Sequence, residues 1–380
     1  MASSAKEILL ERIRSRGPIT VAEFMEVALY DSEHGYYATA ERRSGLTGDF
    51  FTNVDVGPLF GEMLAVQIAE IAARLDASRD LRPREENDRF DLVEAGAGDG
   101  RLMRDLLDAL ARDFPACYAR VRVTLVERSE AARRAQPATL ASHQARLAGC
   151  VAALPARISG VILANELLDA FPLHVVRFDD HEVREIRITE IDGTLAETTG
   201  PLTDPRIADW IAGLTSRPTN GERAEVSLAA TDWIQQAASA LERGYLLLID
   251  YGGEEADLIS AMHPAGTLVA YRGHVMNGAR WFDRPGDADL TGHVNLTAVQ
   301  RTANAAGMNG VGIIDQRYFL INLGVLERLP SDQSVPALKQ RLAAQSLLMP
   351  GGLGSTMKVM AFAKGVEQPA LSGFSSGRLT

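Results

Sequence analysis

The sequence predicts an α/β fold built on a mainly parallel, doubly wound sheet. Two observations carry this expectation. From Phe90 onward, short apolar strands alternate with helical stretches. In addition, 46% of the 380 residues are apolar, enough for a globular chain to bury a substantial core. Strands separated by helices at this spacing pair in parallel, and right-handed crossovers then place helices on both faces.

Taken in order, residues 1 to about 80 read as an N-terminal helical and loop lid. Ile8, Leu9 and Ile13 give the first helix an apolar face. Val21–Tyr30 forms a second, with Thr20 as its N-cap. A glycine- and aromatic-rich stretch from Asp31 to Pro58 precedes the amphipathic Leu59–Leu75. Arg79–Arg89, charged and broken by Pro83, reads as a linker. The core, residues 81–364, then begins with strand Phe90–Glu94 and helix Arg101–Phe114, whose Leu102, Leu106 and Leu110 share a stripe. Val121–Glu127 is a strand and Ser129–Arg146 is mostly helical despite Pro137. Val161–Ala164 and Tyr245–Asp250 are buried-type strands. Between them an insertion at about 172–230 interrupts the alternation. Its hairpin pairs Val175–Phe178 with Val183–Thr189, and it is expected to form a cap. Leu268–Tyr271, a helix near Leu296–Ala306, Val311–Ile314 and a further helical region follow. The last strand, Lys358–Ala363, is expected antiparallel beside Val311–Ile314, and residues 365–380 are expected to form a disordered tail.

Composition excludes several classes. With 39 basic and 50 acidic residues, the net charge of −11 disfavours a general nucleic-acid binder and suits a cationic partner. Two cysteines, Cys117 and Cys150, exclude a disulfide scaffold, and both read as small buried hydrophobes. Seven scattered histidines show no ligand spacing, so no metal site is expected. No apolar run reaches the ~18–20 residues of a spanning helix. The N-terminal Glu7 and Glu11 do not suit a signal or transit peptide. A cytoplasmic location is expected for a bacterial chain, or the mitochondrial matrix for a mature eukaryotic one.

Three constellations at strand ends carry chemistry. In Glu94-Ala95-Gly96-Ala97-Gly98-Asp99-Gly100, glycines let a ligand approach main-chain N–H groups. A dinucleotide loop would need glycine at 101, where Arg101 stands, which makes a dehydrogenase the weakest reading. The observed E-x-G-x-G-x-G looks like motif I of class I S-adenosylmethionine methyltransferases. Glu127, at the end of the next strand, suits both hydroxyls of an adenosyl ribose. Glu94 suits the methionyl ammonium or the loop backbone, and Asp99 reads as a possible helix N-cap. The third constellation, Asn165-Glu166-Leu167-Leu168-Asp169-Ala170-Phe171-Pro172, follows Val161–Ala164 at the edge where a methyl group would be presented. Asn165 as a helix cap and Asp169 as a solvated acid remain the structural alternative. No G-x-S-x-G element supports a hydrolase.

Together these residues resemble the MidA family, methyltransferases of the mitochondrial complex I assembly-factor type with bacterial relatives. The likeness spans residues 20 to 364. It includes Ala28-Leu29-Tyr30-Asp31-Ser32-Glu33-His34-Gly35-Tyr36-Tyr37, Gly48-Asp49-Phe50-Phe51-Thr52, Ile249-Asp250-Tyr251-Gly252, Tyr271-Arg272-Gly273-His274 and Asp289-Leu290-Thr291. The chain departs from it at Asn53-Val54-Asp55, where the family usually has Ser-Pro-Glu. It departs again at Gly292-His293-Val294-Asn295, where Ala-Asp-Val-Asp is common. The resemblance implies a Rossmann-like seven-stranded sheet, S-adenosylmethionine as cofactor, and methylation of arginine on a protein, a complex I subunit in mitochondrial members. The candidate catalytic residues are Glu166, Asn165 and Asp169. Glu94, Gly96, Gly98, Gly100, Glu127, Asn165, Gly48 and Asp49 fall to the cofactor. His34, Tyr36, Tyr37, Asp250, Tyr271 and His274 fall to the substrate or lid. Glu166 matches the guanidinium-clamping glutamate of symmetric arginine methyltransferases. A non-catalytic assembly factor that retains the cofactor pocket and a small-molecule methyltransferase stay open as alternatives.

Overall fold

The computed structural model describes residues 4–39, 52–77, 89–180, 182–215, 218–260, 262–272, 275–276, 280–367 and 369–375. They form two compact units. One comprises Met1–Phe51, Leu168–Trp233 and Gly252–Val299; the other comprises Thr52–Leu167, Ile234–Tyr251 and Gln300–Thr380. The sequence reading groups residues 1–80 as one lid and treats about 172–230 as an isolated insertion. In the structure, Ala5–Arg16 and Val21–Tyr30 share an apolar core with Leu173, Val175, Ile186 and Leu290, whereas Leu59–Ala77 lies in the core of the other unit.

The larger unit is organised by a seven-strand path. Its strands are β1 (Phe90–Ala95), β2 (Val121–Val126), β3 (Leu147–Val151), β4 (Ile158–Asn165), β5 (Leu241–Gly253), β6 (Asn309–Asp315) and β7 (Met357–Lys364). Their order is β6-β7-β5-β4-β1-β2-β3. β7 runs antiparallel to both β5 and β6, while β5, β4, β1, β2 and β3 pair in parallel. This is the Rossmann-like sheet with an antiparallel last strand that the sequence predicts. β3 escapes the sequence reading because Leu147–Val151 is short and half exposed. The helix before it stops at Leu140, and Ala141–Arg146 continues as a 3₁₀ turn.

β4 reads ISGVILAN, a nearly unbroken apolar run suited to a central parallel strand covered on both faces. At its start the strands come too close for side chains. A Cβ on Gly160 would lie 2.1 Å from the Asp91 carbonyl oxygen, and one on Gly244 would lie 1.9 Å from that of Gly160. On one face of the sheet, Leu64, Ile68 and Ile71 of Leu59–Ala77 pack with Leu102, Leu106 and Leu110 of Arg101–Asp113. Full burial of such a side chain contributes roughly 1.5–3 kcal/mol.

The expected disordered tail is corrected over its described part. Leu371 is buried, Ser372 donates to Glu70, and the Gly373 N–H donates to Gln67 Oε1 at 3.2 Å. These contacts to Leu59–Ala77 give the segment buried apolar area and satisfied polar groups.

The smaller unit contains an antiparallel sheet. Its Glu182–Ile191 strand pairs with Ile19–Thr20, His174–Asp179 and Thr194–Gly200, and His174–Asp179 also pairs with Arg223–Val226. The predicted hairpin is present, with Asp179 opposite Glu182. Thr20 caps Val21–Tyr30 as expected and forms a capping box with Glu23. A second small sheet joins Val269–Arg272 to Val275–Met276 and Asp289–Thr291.

Candidate functional site

The glycine loop leaves β1 through alternating left-handed residues. Gly96, Gly98 and Gly100 have φ of 71°, 51° and 88°, values that penalise any side chain with a Cβ. Gly96 and Ala97 donate their N–H groups to the Val126 carbonyl at 2.9 and 3.1 Å, which ties the turn to β2. Around Gly98 there is open space, because a Cβ built there meets nothing within 4 Å. Gln136 Nε2 donates to the Gly98 carbonyl at 2.8 Å.

Glu127 stands at the end of β2 and holds this loop. Its Oε2 accepts from the Gly98 N–H at 3.0 Å, and its Oε1 accepts from the Ser129 N–H at 2.8 Å. A carboxylate offers about four acceptor positions, so both oxygens retain capacity for a diol. Behind the loop, Glu94 is 3% exposed, and its Oε2 is buried without a hydrogen-bond partner. Burial, reinforced by the nearby Asp99 and Glu127 charges, pushes its carboxyl up to about 8. One main-chain bond from Met103 works against that rise. Gly100, not Asp99, is the N-cap of the following helix; Asp99 stands one residue earlier, where its Oδ1 accepts from the Arg101 N–H at 3.2 Å.

β4 ends in Asn165, and the next residue turns sharply. Glu166 adopts φ 51°, a left-handed conformation that costs a non-glycine residue about 1–3 kcal/mol. Two anchors hold the strain. The Glu166 N–H donates to the Ile249 carbonyl at 2.8 Å, and the Leu167 N–H donates to Asp250 Oδ2 at 3.2 Å. Asp250, expected in a pocket wall, is 1% exposed and also accepts from the Tyr251 N–H at 2.8 Å. It thus supports the turn that carries Glu166. Glu166 Oε1 accepts from Asn165 Nδ2 at 2.9 Å and from the Asn53 N–H at 3.4 Å. The Asn165 side chain therefore serves Glu166 rather than capping a helix.

The structure brings Glu94, Gly96, Gly98, Gly100, Glu127, Asn165, Glu166 and Asp250 together at the carboxyl ends of β1, β2, β4 and β5 in one unit. His34, Tyr36, Tyr37, Asp169 and Tyr271 belong to the other unit. There Tyr37 donates its hydroxyl to Asp289 Oδ1 at 3.0 Å. Burial and the Asp289, Tyr30 and Asp169 charges hold the Tyr37 phenol well above its ordinary value. Asp169 Oδ2 accepts from the Thr291 hydroxyl at 2.8 Å, its Oδ1 is buried and unpartnered, and burial raises its pKa. Asp169 is thus not the solvated acid of the alternative reading. Tyr36 is buried, and the Tyr271 backbone pairs opposite Asp289. The His34 N–H donates to Asp31 Oδ1 at 2.9 Å within a turn. Gly48, Asp49 and His274 lie outside the described residues.

Sequence reasoning missed three members of the site. Asp55, its side chain 2% exposed, accepts from Arg101 Nη1 at 3.0 Å and from the Thr52 N–H. Asn53 and Gln316 are wholly buried beside Asn165. The Asn53-Val54-Asp55 departure was the available signal for the first two; nothing local marks Gln316. Both cysteine thiols are half-buried and raised by burial, Cys117 to about 11. Among the described residues, no group of three or more His, Cys, Asp or Glu could hold a metal, and no helix is long and apolar enough to cross a membrane.

The chain is similar to known proteins over most of its length. A family model described as "Putative S-adenosyl-L-methionine-dependent methyltransferase" matches residues 63–314. A crystal structure from Burkholderia thailandensis, bound to S-adenosyl-homocysteine, superposes with a TM-score of 0.85. It is 29% identical, over 98% of this chain and 95% of that one. The mitochondrial protein arginine methyltransferase NDUFAF7 of Bos taurus is 28% identical over 93% of this chain and 82% of its own length. The human protein of that name is 28% identical over 88% and 77%.

Proposed function

The chain belongs to this family of S-adenosyl-L-methionine-dependent methyltransferases, and from that premise we propose that it methylates arginine on a protein substrate. The observation that carries the cofactor half is the Gly98–Glu127 bond beside open space, with the unpartnered Glu94 Oε2 behind it. These groups fit the cofactor: Glu127 for the ribose diol, Glu94 for the ammonium, and Gly98 for close approach. The Burkholderia relative, bound to S-adenosyl-homocysteine, supports the cofactor class. When bound, S-adenosylmethionine supplies a methyl group already activated by its sulfonium.

What remains for the chain is positioning. A guanidinium stays protonated at neutral pH, and its lone pairs are delocalised. The Glu166 carboxylate, held through Oε1 by Asn165 and Asn53, presents an anion that fixes the guanidinium plane. The pairing draws positive charge toward the carboxylate and turns one nitrogen toward the methyl group. After transfer, Glu166 is placed to accept the proton that the methylated nitrogen sheds. The arginine methyltransferase relatives support this acceptor. The MidA resemblance makes a complex I subunit the first acceptor to try.

The experiment incubates the chain and methyl-labelled S-adenosylmethionine with the proteome of a strain that lacks it. Mass spectrometry should find a single labelled arginine site. Glu166→Gln should abolish the label while calorimetric cofactor affinity stays within about twofold, because only transition-state positioning is lost. A wild type that does not bind S-adenosylmethionine overturns the reading. A labelled metabolite without a labelled protein redirects it to a small-molecule acceptor.

A further inference from the structure

Three amide side chains from distant parts of the sequence line up behind Glu166. Gln316 Nε2 donates to Asn53 Oδ1 at 2.9 Å. Asn53 Nδ2 donates to Asn165 Oδ1 at 3.3 Å. Asn165 Nδ2 donates to Glu166 Oε1 at 2.9 Å. Every link points its donor toward the carboxylate. Asn53 and Gln316 are wholly buried, so water is a poor substitute partner for either amide.

From this arrangement we infer that Asn53 and Gln316 are positioning residues, which set the orientation of the Asn165 amide and through it the plane of the Glu166 carboxylate. The inference rests on the proposed arginine methylation. An Asn side chain can present either its NH₂ or its carbonyl to a neighbour, and the two ends are nearly isosteric. Asn165 facing Glu166 with its carbonyl would set oxygen against oxygen. The Asn53 amide prevents that by occupying Asn165 Oδ1 with a donor. Asn53 is itself oriented because its Oδ1 receives the Gln316 donor. Gln316 is anchored at the far end, where Nε2 also lies 3.4 Å from the Leu347 carbonyl and 3.5 Å from that of Leu353. Aligned amides in a buried chain polarise one another in the same sense.

The test uses Gln316→Met, which keeps volume but removes the donor, and Asn53→Ala. Cofactor affinity is read by calorimetry, and methyl transfer is read with labelled S-adenosylmethionine on the deletion-strain proteome. Both variants should keep cofactor affinity within about twofold and lose about tenfold in acceptor kcat/KM, the scale of one hydrogen bond to a charged group. Most of that loss should fall on KM, since a structural lesion would lower cofactor affinity and acceptor turnover together. Side-chain amide signals in a nitrogen-15 spectrum give a second readout that needs no turnover. The Asn165 signals should move in Gln316→Met although the two amides are linked only through Asn53. Unchanged transfer, unmoved Asn165 signals, or an equal loss of cofactor binding would each overturn the inference. If the wild type binds cofactor but transfers no methyl, the methylation reading fails, and the Asn165 signals still decide whether the relay exists.

Discussion

Glu127 Oε2 accepts the main-chain N–H of Gly98 across 3.0 Å, so the acid at the end of β2 and the loop after β1 are held as one piece. Glu127→Ala should therefore weaken cofactor affinity twice over, by deleting the ribose acceptor and by releasing the loop. With charge-assisted bonds contributing roughly 1.5–3 kcal/mol each, the loss should exceed tenfold. Glu127→Gln, which keeps one oxygen, should fall between. Calorimetric titration with S-adenosylmethionine checks the order of the three proteins.

Glu94 predicts a pH dependence. In the unfolded chain it ionises near 4.5, whereas in the fold it stays protonated up to about 8. The unfolded state binds fewer protons across that window, so stability falls as pH rises from about 4.5 to about 8. Glu94→Gln should remove this contribution and flatten the wild-type curve, by an amount on the order of a few kcal/mol. Denaturant melts at pH 5 and pH 8 read the difference. An ammonium beside Glu94 favours its ionised form, so cofactor binding near neutral pH should release protons. Titration in two buffers of different ionisation enthalpy measures that release.

The glycines of the loop should differ from one another. Gly98→Ala forces a left-handed alanine but meets no protein atom, for a stability loss of about 1–2 kcal/mol. Its larger effect should be on cofactor affinity, because the new methyl projects into the space assigned to the cofactor. Gly100→Ala adds crowding, with Leu140 Cδ1 at 3.1 Å and Leu125 Cδ1 at 3.2 Å. It should cost more stability, about 2–4 kcal/mol. Thermal melts and titrations of both variants separate the two effects.

Asp169→Asn tests the buried acid of the other unit. Burial raises the Asp169 pKa, so its ionisation is resisted in the fold and stability is lost as pH rises above its ordinary 3.8. The neutral isostere should lose no more than about 0.5 kcal/mol at pH 7, the scatter of a tolerated change, and can gain. Guanidine melts check this, and the methylation assay shows whether the charge is needed for turnover.

The strand ends were legible because their chemistry is local. Glu94 to Gly100 and Asn165-Glu166 each sit within a few residues of a recognisable apolar strand, and crossover handedness places helices on both faces of the sheet. The supports of Glu166 were not legible in the same way. Gln316 lies 263 residues from Asn53, and amide pairs carry no periodic signature. The pairing of Val21–Tyr30 with Asp289–Thr291 in one unit is also invisible to periodicity, which reports which face is apolar but not what covers it. Leu371 was lost among small polar residues that read as a tail, although one buried leucine and the Glu70 and Gln67 acceptors suffice to dock it.

The position of β7 has a consequence for biosynthesis. Among the described residues β6 pairs only with β7, and β7 separates it from β5, so neither β5 nor β6 has its neighbour on that side until Met357–Lys364 is available. On the ribosome, the nascent chain therefore carries two open strand edges through the synthesis of more than forty intervening residues. Open edges invite pairing with other chains. A chain ending before Met357 would be unable to close its sheet.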